Sequence, residues 1–235
     1  HEGGGVVVSG RNVGYKGPLA SGTVVLLDND RANGVVGFND ITTDRLGRIY
    51  AGALGFLPTE SELSGIGGEG RSAPLYLVDL DGSSRCVHPD IKLSNGMGFS
   101  PDGRLLYHAD SGDRTVYVYD VHDNGDLSDR RPLVSVVEGL PDGLAIDVDG
   151  SIWLAVAHAG QVLVYSAKGS LMRRIDFPLP MTTSLCFGGP DLRDLYVVSG
   201  SDGTGRSDAG SIFRLRCDVP GVPIATARVP IVAPR

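Results

Sequence analysis

The sequence predicts an all-β fold, and within that class a β-propeller, on three observations. Glycine fills 34 of the 235 positions and proline 14, so turns are many and long helices few. A hairpin opened by a polar residue recurs along the chain with a period of roughly 40 to 55 residues. Two further strand-like runs follow each hairpin, so that a repeat holds about four strands. Four antiparallel strands at that period describe a propeller blade, whose faces are buried by stacking on neighbouring blades around an axis.

Taken in order, the segment from Val6 to Asp28 reads as a partial blade without an innermost strand. The first full copy runs from Asn39-Asp40 through the turn Asp44-Arg45-Leu46-Gly47 to Ile49-Tyr50. The second runs from Asn95-Gly96 through Pro101-Asp102-Gly103 to Leu105-Leu106, and the third from Asp142 through Asp147-Val148-Asp149-Gly150 to Trp153. A looser fourth begins at Thr183-Ser184, runs through Phe187-Gly188-Gly189-Pro190-Asp191 and continues as the strand Asp194-Leu195-Tyr196-Val197-Val198. Outer strands are expected at Thr115–Asp120 and Arg131–Ser135, and at Gln161–Tyr165 and Leu171–Ile175. Blades therefore start near Asn39, Ser94, Pro141 and Thr182, within one domain covering residues 1–235. Tyr107, Trp153 and Tyr196 follow the turns and are expected to pack between blades. Asp123-Asn124-Gly125-Asp126 lacks the terminal Glu of a helix-loop-helix calcium site and reads as a hairpin turn. Four blades and a fragment do not close a ring comfortably. Blades from an N-terminal extension, another chain or an unusual closure would each complete it, and an incomplete ring would favour self-association.

The net charge of −7 and the 41% hydrophobic content suit an ordinary globular core and argue against disorder. An acidic chain with scattered basic residues is a poor surface for nucleic acid or an anionic membrane, since phosphate neutralisation needs clustered Lys and Arg. The sequence has no apolar run of spanning length and no leader at its start, so a soluble protein is expected, with cytoplasm the default compartment. Cys86, Cys186 and Cys217 are odd in number and widely spaced, which gives neither a disulfide framework nor a zinc ribbon. Cys86 and Cys186 sit in apolar sequence and are expected in the core.

Innermost strands line a propeller channel, so equivalent repeat positions converge in space. Asn39, Asn95 and Asp142 share the opening position of three consecutive repeats. Taken singly, such residues ordinarily hydrogen-bond turn backbone; their shared register points instead to one site at a channel mouth. Two amides and a carboxylate are hard oxygen donors, suited to Ca²⁺, Mg²⁺ or Mn²⁺.

Several segments together carry a resemblance: Phe38-Asn39-Asp40, Ser94-Asn95-Gly96 with Ser100-Pro101-Asp102-Gly103, Ala109-Asp110-Ser111, Leu140-Pro141-Asp142-Gly143-Leu144, and Thr182-Thr183-Ser184 with Phe187-Gly188-Gly189. In order and spacing the sequence resembles the senescence marker protein (regucalcin)/gluconolactonase/luciferin-regenerating enzyme family. The resemblance implies a six-bladed propeller, here apparently lacking its first blade and part of its second. It implies one divalent cation in the channel, with Ca²⁺ the first expectation and Mg²⁺, Mn²⁺, Zn²⁺ or Fe²⁺ as alternatives. Carried over, Asn39, Asn95 and Asp142 are the metal ligands, and Asp142 is also the general base. The family's fourth ligand, a first-blade Glu, has no counterpart in this sequence, and Glu2 does not replace it.

The implied activity is hydrolysis of a small-molecule lactone or related ester, by Lewis-acid polarisation of the carbonyl and Asp-assisted attack of water. Sugar-lactone members carry an Arg where this chain has Gly37 and a carboxylate near Leu57. Without those polar clamps a less hydroxylated or bulkier lactone is expected. His158, Thr183 and Ser184 complete the candidate substrate-binding set. The competing reading is a non-catalytic or calcium-binding propeller acting as a binding or scaffold module. Carbon–carbon bond formation, known for related propellers, has no positive feature here. Gly65-Ile66-Gly67-Gly68-Glu69-Gly70 matches a dinucleotide fingerprint, but a strand follows where that fold requires a helix, so a loop near the channel mouth is expected. No serine-hydrolase elbow, zinc-protease pair or Cys–His nucleophile stands in the sequence.

Overall fold

The computed structural model describes residues 1–18, 22–57, 71–201 and 205–231. Among these residues, apart from one short 3₁₀ turn at Arg31–Asn33, capped by Asp30, every regular element is a strand. The strands form five antiparallel sheets, in the manner of propeller blades. The first contains β1 (Val6–Val8), β2 (Val13–Lys16) and β3 (Val24–Leu27). The second runs β4 (Gly37–Thr43), β5 (Ile49–Leu54), β6 (Ala73–Val78), β7 (Ser84–Ile91). The third runs β8 (Ser94–Phe99), β9 (Leu105–Asp110), β10 (Thr115–Val121), β11 (Leu127–Ser135). The fourth runs β12 (Leu140–Ile146), β13 (Ile152–Ala157), β14 (Gln161–Tyr165), β15 (Leu171–Asp176). The last contains β16 (Thr182–Gly188), β17 (Asp194–Ser199) and β18 (Ile212–Arg216). All four expected blade starts fall at or within three residues of β4, β8, β12 and β16. The fourth repeat departs from the expected four strands, with three among the described residues. Beyond Cys217 the chain leaves that sheet instead of adding an outer strand to it.

Each hairpin turn is fixed by an aspartate. Asp44 accepts from the Leu46 and Arg48 amides and from Arg48 Nε, the last at 2.6 Å. Asp147 accepts from the Asp149 and Ser151 amides and from Trp153 Nε1. Gly47 and Gly150 close these turns at φ +89° and +84°, where a side chain would be strained. The predicted turn at Asp123–Asp126 joins β10 to β11 and reaches the second sheet, since Arg48 donates to the Asp123 carbonyl and the Tyr50 hydroxyl to the Gly125 carbonyl.

The core lies between sheets. Tyr50, Leu75 and Leu77 of the second sheet pack with Leu106 and Tyr119 of the third. Tyr107, Val116 and Val118 pack with Leu144, Leu154 and Val156 of the fourth. Trp153, Val162 and Val164 pack with Leu185, Leu195 and Val197 of the last, and Trp153 meets Phe187 edge-on at 5.4 Å. Cys86 and Cys186, expected in the core, are exposed, whereas Cys217 is buried. Cys86 lies on the outer edge strand β7, and apolar neighbours in sequence say nothing about which edge of the sheet a strand occupies.

After Cys217 an extended strap runs across the lower end of the inner strands. Val222 donates to the Ile146 carbonyl, Thr43 Oγ1 to Ala225, Arg228 N to Gly47 and Glu2 N to Ala227. Ala227 and Val229 are buried with Val13, Phe38 and Ile49 between the first two sheets. Above Val222–Ile224 lies a cavity of about 200 Å³, walled by Met97, Phe99, Leu144, Ile146, Leu185 and Phe187. No helix among the described residues is long and apolar enough to cross a membrane.

Candidate functional site

Each of the four inner strands slips register against its neighbour near its start. The slips fall between Phe38 and Ile41, Ser94 and Met97, Pro141 and Leu144, and Thr182 and Ser184. Asn39-Asp40, Asn95-Gly96, Asp142-Gly143 and Thr183 therefore stand outside regular pairing. A bulge breaks the alternation of faces and re-aims the side chains it carries.

The strands that carry the candidate residues are joined across three sheets. Asn39 Nδ2 donates to Asn95 Oδ1 at 2.6 Å and to the Ser94 carbonyl at 2.7 Å. Asn95 Nδ2 donates to Ser111 Oγ at 2.7 Å, and that hydroxyl donates to the Pro141 carbonyl, one residue before Asp142. Ser111 thus bridges the third and fourth sheets. The Asp110 carboxylate holds the Lys92, Leu93, Gly112 and Asp113 amides. The inner strands approach at glycines: a Cβ on Gly96 would lie 2.3 Å from the Leu144 nitrogen and 2.6 Å from the Asp142 carbonyl oxygen.

Asp142 is the electrostatic centre of this cluster. Burial, then the negative charge of Asp40, push its carboxyl up to about 8, and only the Gly143 amide opposes the shift. Burial likewise raises Asp40, partly offset by the bond from the Ile41 amide. Behind the ring, Ser94 Oγ lies 2.8 Å from His108 Nε2. Burial, aided by the Arg130 and His88 charges, holds His108 down at about 3, so its ring is neutral at any ordinary pH.

Of the other candidates, Ser184 abuts Gly143, where a Cβ would lie 2.5 Å from the serine hydroxyl oxygen. Thr183 Oγ1 is within 3.4 Å of the Val198 carbonyl of its own sheet. His158 is exposed in the turn after β13, at the Leu140–Pro141 end of that sheet, with φ +65°. Gly37 is buried against the first sheet, where a Cβ would lie 2.9 Å from the Gly10 carbonyl. Leu57, 65% exposed, lies beyond the end of β5. The Gly65–Gly70 run falls outside the described residues. Sequence reasoning missed Asp40, because neighbours in a regular strand face opposite ways and only the bulge lets Asn39 and Asp40 serve one site.

The donor set is rich in amides. Among the described residues no three His, Cys, Asp or Glu side chains gather as a metal-binding group. Two carboxylates nevertheless interact here, and no cationic side chain of the described residues figures among the influences on either.

Residues 1–201 match the model of the SMP-30/gluconolactonase/LRE-like region. The chain belongs to this family. A family relative, the pentonolactonase of Haloferax volcanii, is 37% identical over 199 residues, 79% of this chain and 64% of its own length. The chain thus spans less than two thirds of that protein. Among solved structures, a luciferin-regenerating enzyme superposes with a TM-score of 0.80 at 26% identity, covering 95% of this chain and 77% of its own. A calcium-binding protein, regucalcin, from Agrobacterium tumefaciens superposes at 0.77 with 21% identity, covering 94% and 74%. At that identity the likeness shows the fold.

Proposed function

We propose that this chain carries the catalytic centre of a divalent-cation-dependent lactonase. The single observation that carries the reading is the Asn39–Asn95 amide pair, tied through Ser111 to the backbone next to Asp142 on the third of three consecutive bulged strands, with the Asp142 and Asp40 carboxyls acting on each other and no cationic side chain of the described residues in balance. Their oxygens fit a hard divalent ion, calcium first, because two neighbouring half-buried carboxylates without a positive partner are costly until one is supplied. Asn39, Asn95 and Asp142 would hold it, and Asp40 would add charge nearby. Such an ion, when bound, supplies Lewis-acid polarisation of an ester carbonyl. We take the ring to be of the six-bladed type, the sheets described here forming part of it.

Asp142 accepts a proton from the attacking water as the water oxygen bonds to the carbonyl carbon. The ring carbon–oxygen bond then breaks, and Asp142 returns the proton to the departing alkoxide, leaving a hydroxy acid. Asn39 and Asn95, cross-bonded and fixed by Ser94 and Ser111, stay in place through the reaction, so little of the barrier goes into reorganisation.

A relative named for pentonolactones puts five-carbon sugar lactones among the substrates to try. Gly37 and Leu57, in place of polar clamps, favour less hydroxylated or bulkier lactones beside them. The test is a proton-release assay on gluconolactone, a pentonolactone and aliphatic and aryl lactones, after chelation and with Ca²⁺, Mg²⁺, Mn²⁺, Zn²⁺ or Fe²⁺ restored. Turnover that chelator abolishes and a divalent ion restores is expected. Cation uptake without turnover on any lactone would support the binding-module reading instead.

A further inference from the structure

His108 is fully buried on β9, in the sheet that contributes Asn95, and makes no contribution to the reaction as described above. Its imidazole has one hydrogen bond among the described residues, from Nε2 to Ser94 Oγ at 2.8 Å, and Nδ1 has no partner. The neighbouring ring, Tyr119 at 6.4 Å, also buries an unpartnered hydroxyl. Burying an imidazole for a single bond is a poor stabilising choice, since a buried polar atom without a partner is costly and an aromatic hydrocarbon would fill the space without that loss. A local rule broken in this way, directly behind a candidate site, calls for a reason at the site.

Ser94 supplies one. It too is fully buried, and it is confined from the other side by β5: a Cβ on Gly52 would lie 1.7 Å from the Ser94 hydroxyl oxygen. Ser94 opens the bulge that carries Asn95, and its carbonyl accepts from Asn39 Nδ2. Fixing the hydroxyl on one side and the carbonyl on the other fixes the peptide from which the Asn95 side chain departs.

We propose that His108 is a positioning residue that, through Ser94, orients the Asn39–Asn95 amide pair for a divalent cation. The proposal rests on the lactonase reading for the cation site and extends it to a residue that touches neither ion nor substrate. Partners of this kind are worth about 10- to 100-fold in metal affinity.

The experiment is calorimetric titration of the full chain with CaCl₂, alongside His108→Phe, Ser94→Ala and the double variant, each checked by thermal melting. Both single variants should melt cooperatively and weaken calcium binding about tenfold or more, and the double variant should lose no more than the worse single one. His108→Gln, which keeps a polar atom near Ser94, should recover part of the affinity. Single variants that bind calcium as tightly as a binding wild type, or losses that add in the double variant, overturn the proposal and leave the lactonase reading standing. If His108→Phe does not fold, His108→Leu takes its place in the cycle with Ser94→Ala, with the same outcomes. A wild-type chain that takes up none of Ca²⁺, Mg²⁺, Mn²⁺, Zn²⁺ and Fe²⁺ overturns the reading and the proposal together; if it binds one of the others and not calcium, that ion replaces CaCl₂ in the titrations.

Discussion

Asp142 combines two properties that pull against each other. In the proposed mechanism it is the carboxylate that moves a proton, and without a cation burial and Asp40 hold its pKa about 8 against an ordinary 3.8. The folded cation-free chain therefore binds this proton more tightly than the unfolded chain does. The stability it contributes is fully present below about 4 and is lost as pH rises through about 8. In chelator, the melting temperature of the wild type should fall between pH 5 and pH 8.5 by several degrees. Asp142→Asn should flatten that fall, and should lower lactone turnover by about 10²- to 10⁴-fold. Equal pH slopes for the two proteins would show that Asp142 is not the titrating group. At this scale the sequence pointed to Asn39, Asn95 and Asp142 as candidates because repetition puts them in one register. It did not point to Asp40, His108 or Ser94, whose proposed parts depend on a bulge and on contacts between strands.

Among the elements, the inner strands are spaced by what they lack. Gly96 leaves room for the β12 backbone at Asp142 and Leu144, and backbone cannot swing aside as a side chain can. Gly96→Ala should therefore push β8 and β12 apart, cutting cation affinity by at least about tenfold while the sheets remain folded. Titration calorimetry with circular dichroism would check both halves of that expectation. The Asp44–Arg48 pair below the site has a different effect, because both side chains are buried and Arg48 also ties the β10–β11 turn to the second sheet. Arg48→Met strands Asp44 without its counter-ion and should cost about 3–5 kcal/mol of stability, read from denaturant midpoints, with cation affinity unchanged. The hairpins and blade starts were legible because aspartate and glycine mark the turns and apolar alternation marks the strands. The sheet to which an outer strand belongs is not encoded locally, hence the three strands of the last sheet and the exposed Cys86.

For the whole molecule, the strap from Cys217 to Ile231 brings together parts that the repeats do not join. Val222 bonds to β12, Ala225 and Arg228 bond to the second sheet at Thr43 and Gly47, and Ala227 and Val229 fill the seam between the first two sheets. None of this has a sequence period, because the strap makes single irregular bonds to successive sheets, and periodicity reveals only elements that repeat. Burial of Val229 with the backbone bonds along the strap should be worth at least about 3 kcal/mol. For a chain of this size each kcal/mol moves the midpoint about 2–4 °C. Ending the chain after Asp218 should then lower the melting temperature by about 6–12 °C. It should also open the apolar cavity above Val222–Ile224, so that a dye selective for exposed hydrophobic surface brightens on the native protein. Cation affinity should change much less than stability, because Asn39, Asn95 and Asp142 sit at the opposite ends of the inner strands from Thr43 and Ile146. A shortened chain that melts with the full one would mean that the sheets hold together by stacking alone, and that the strap is a passenger.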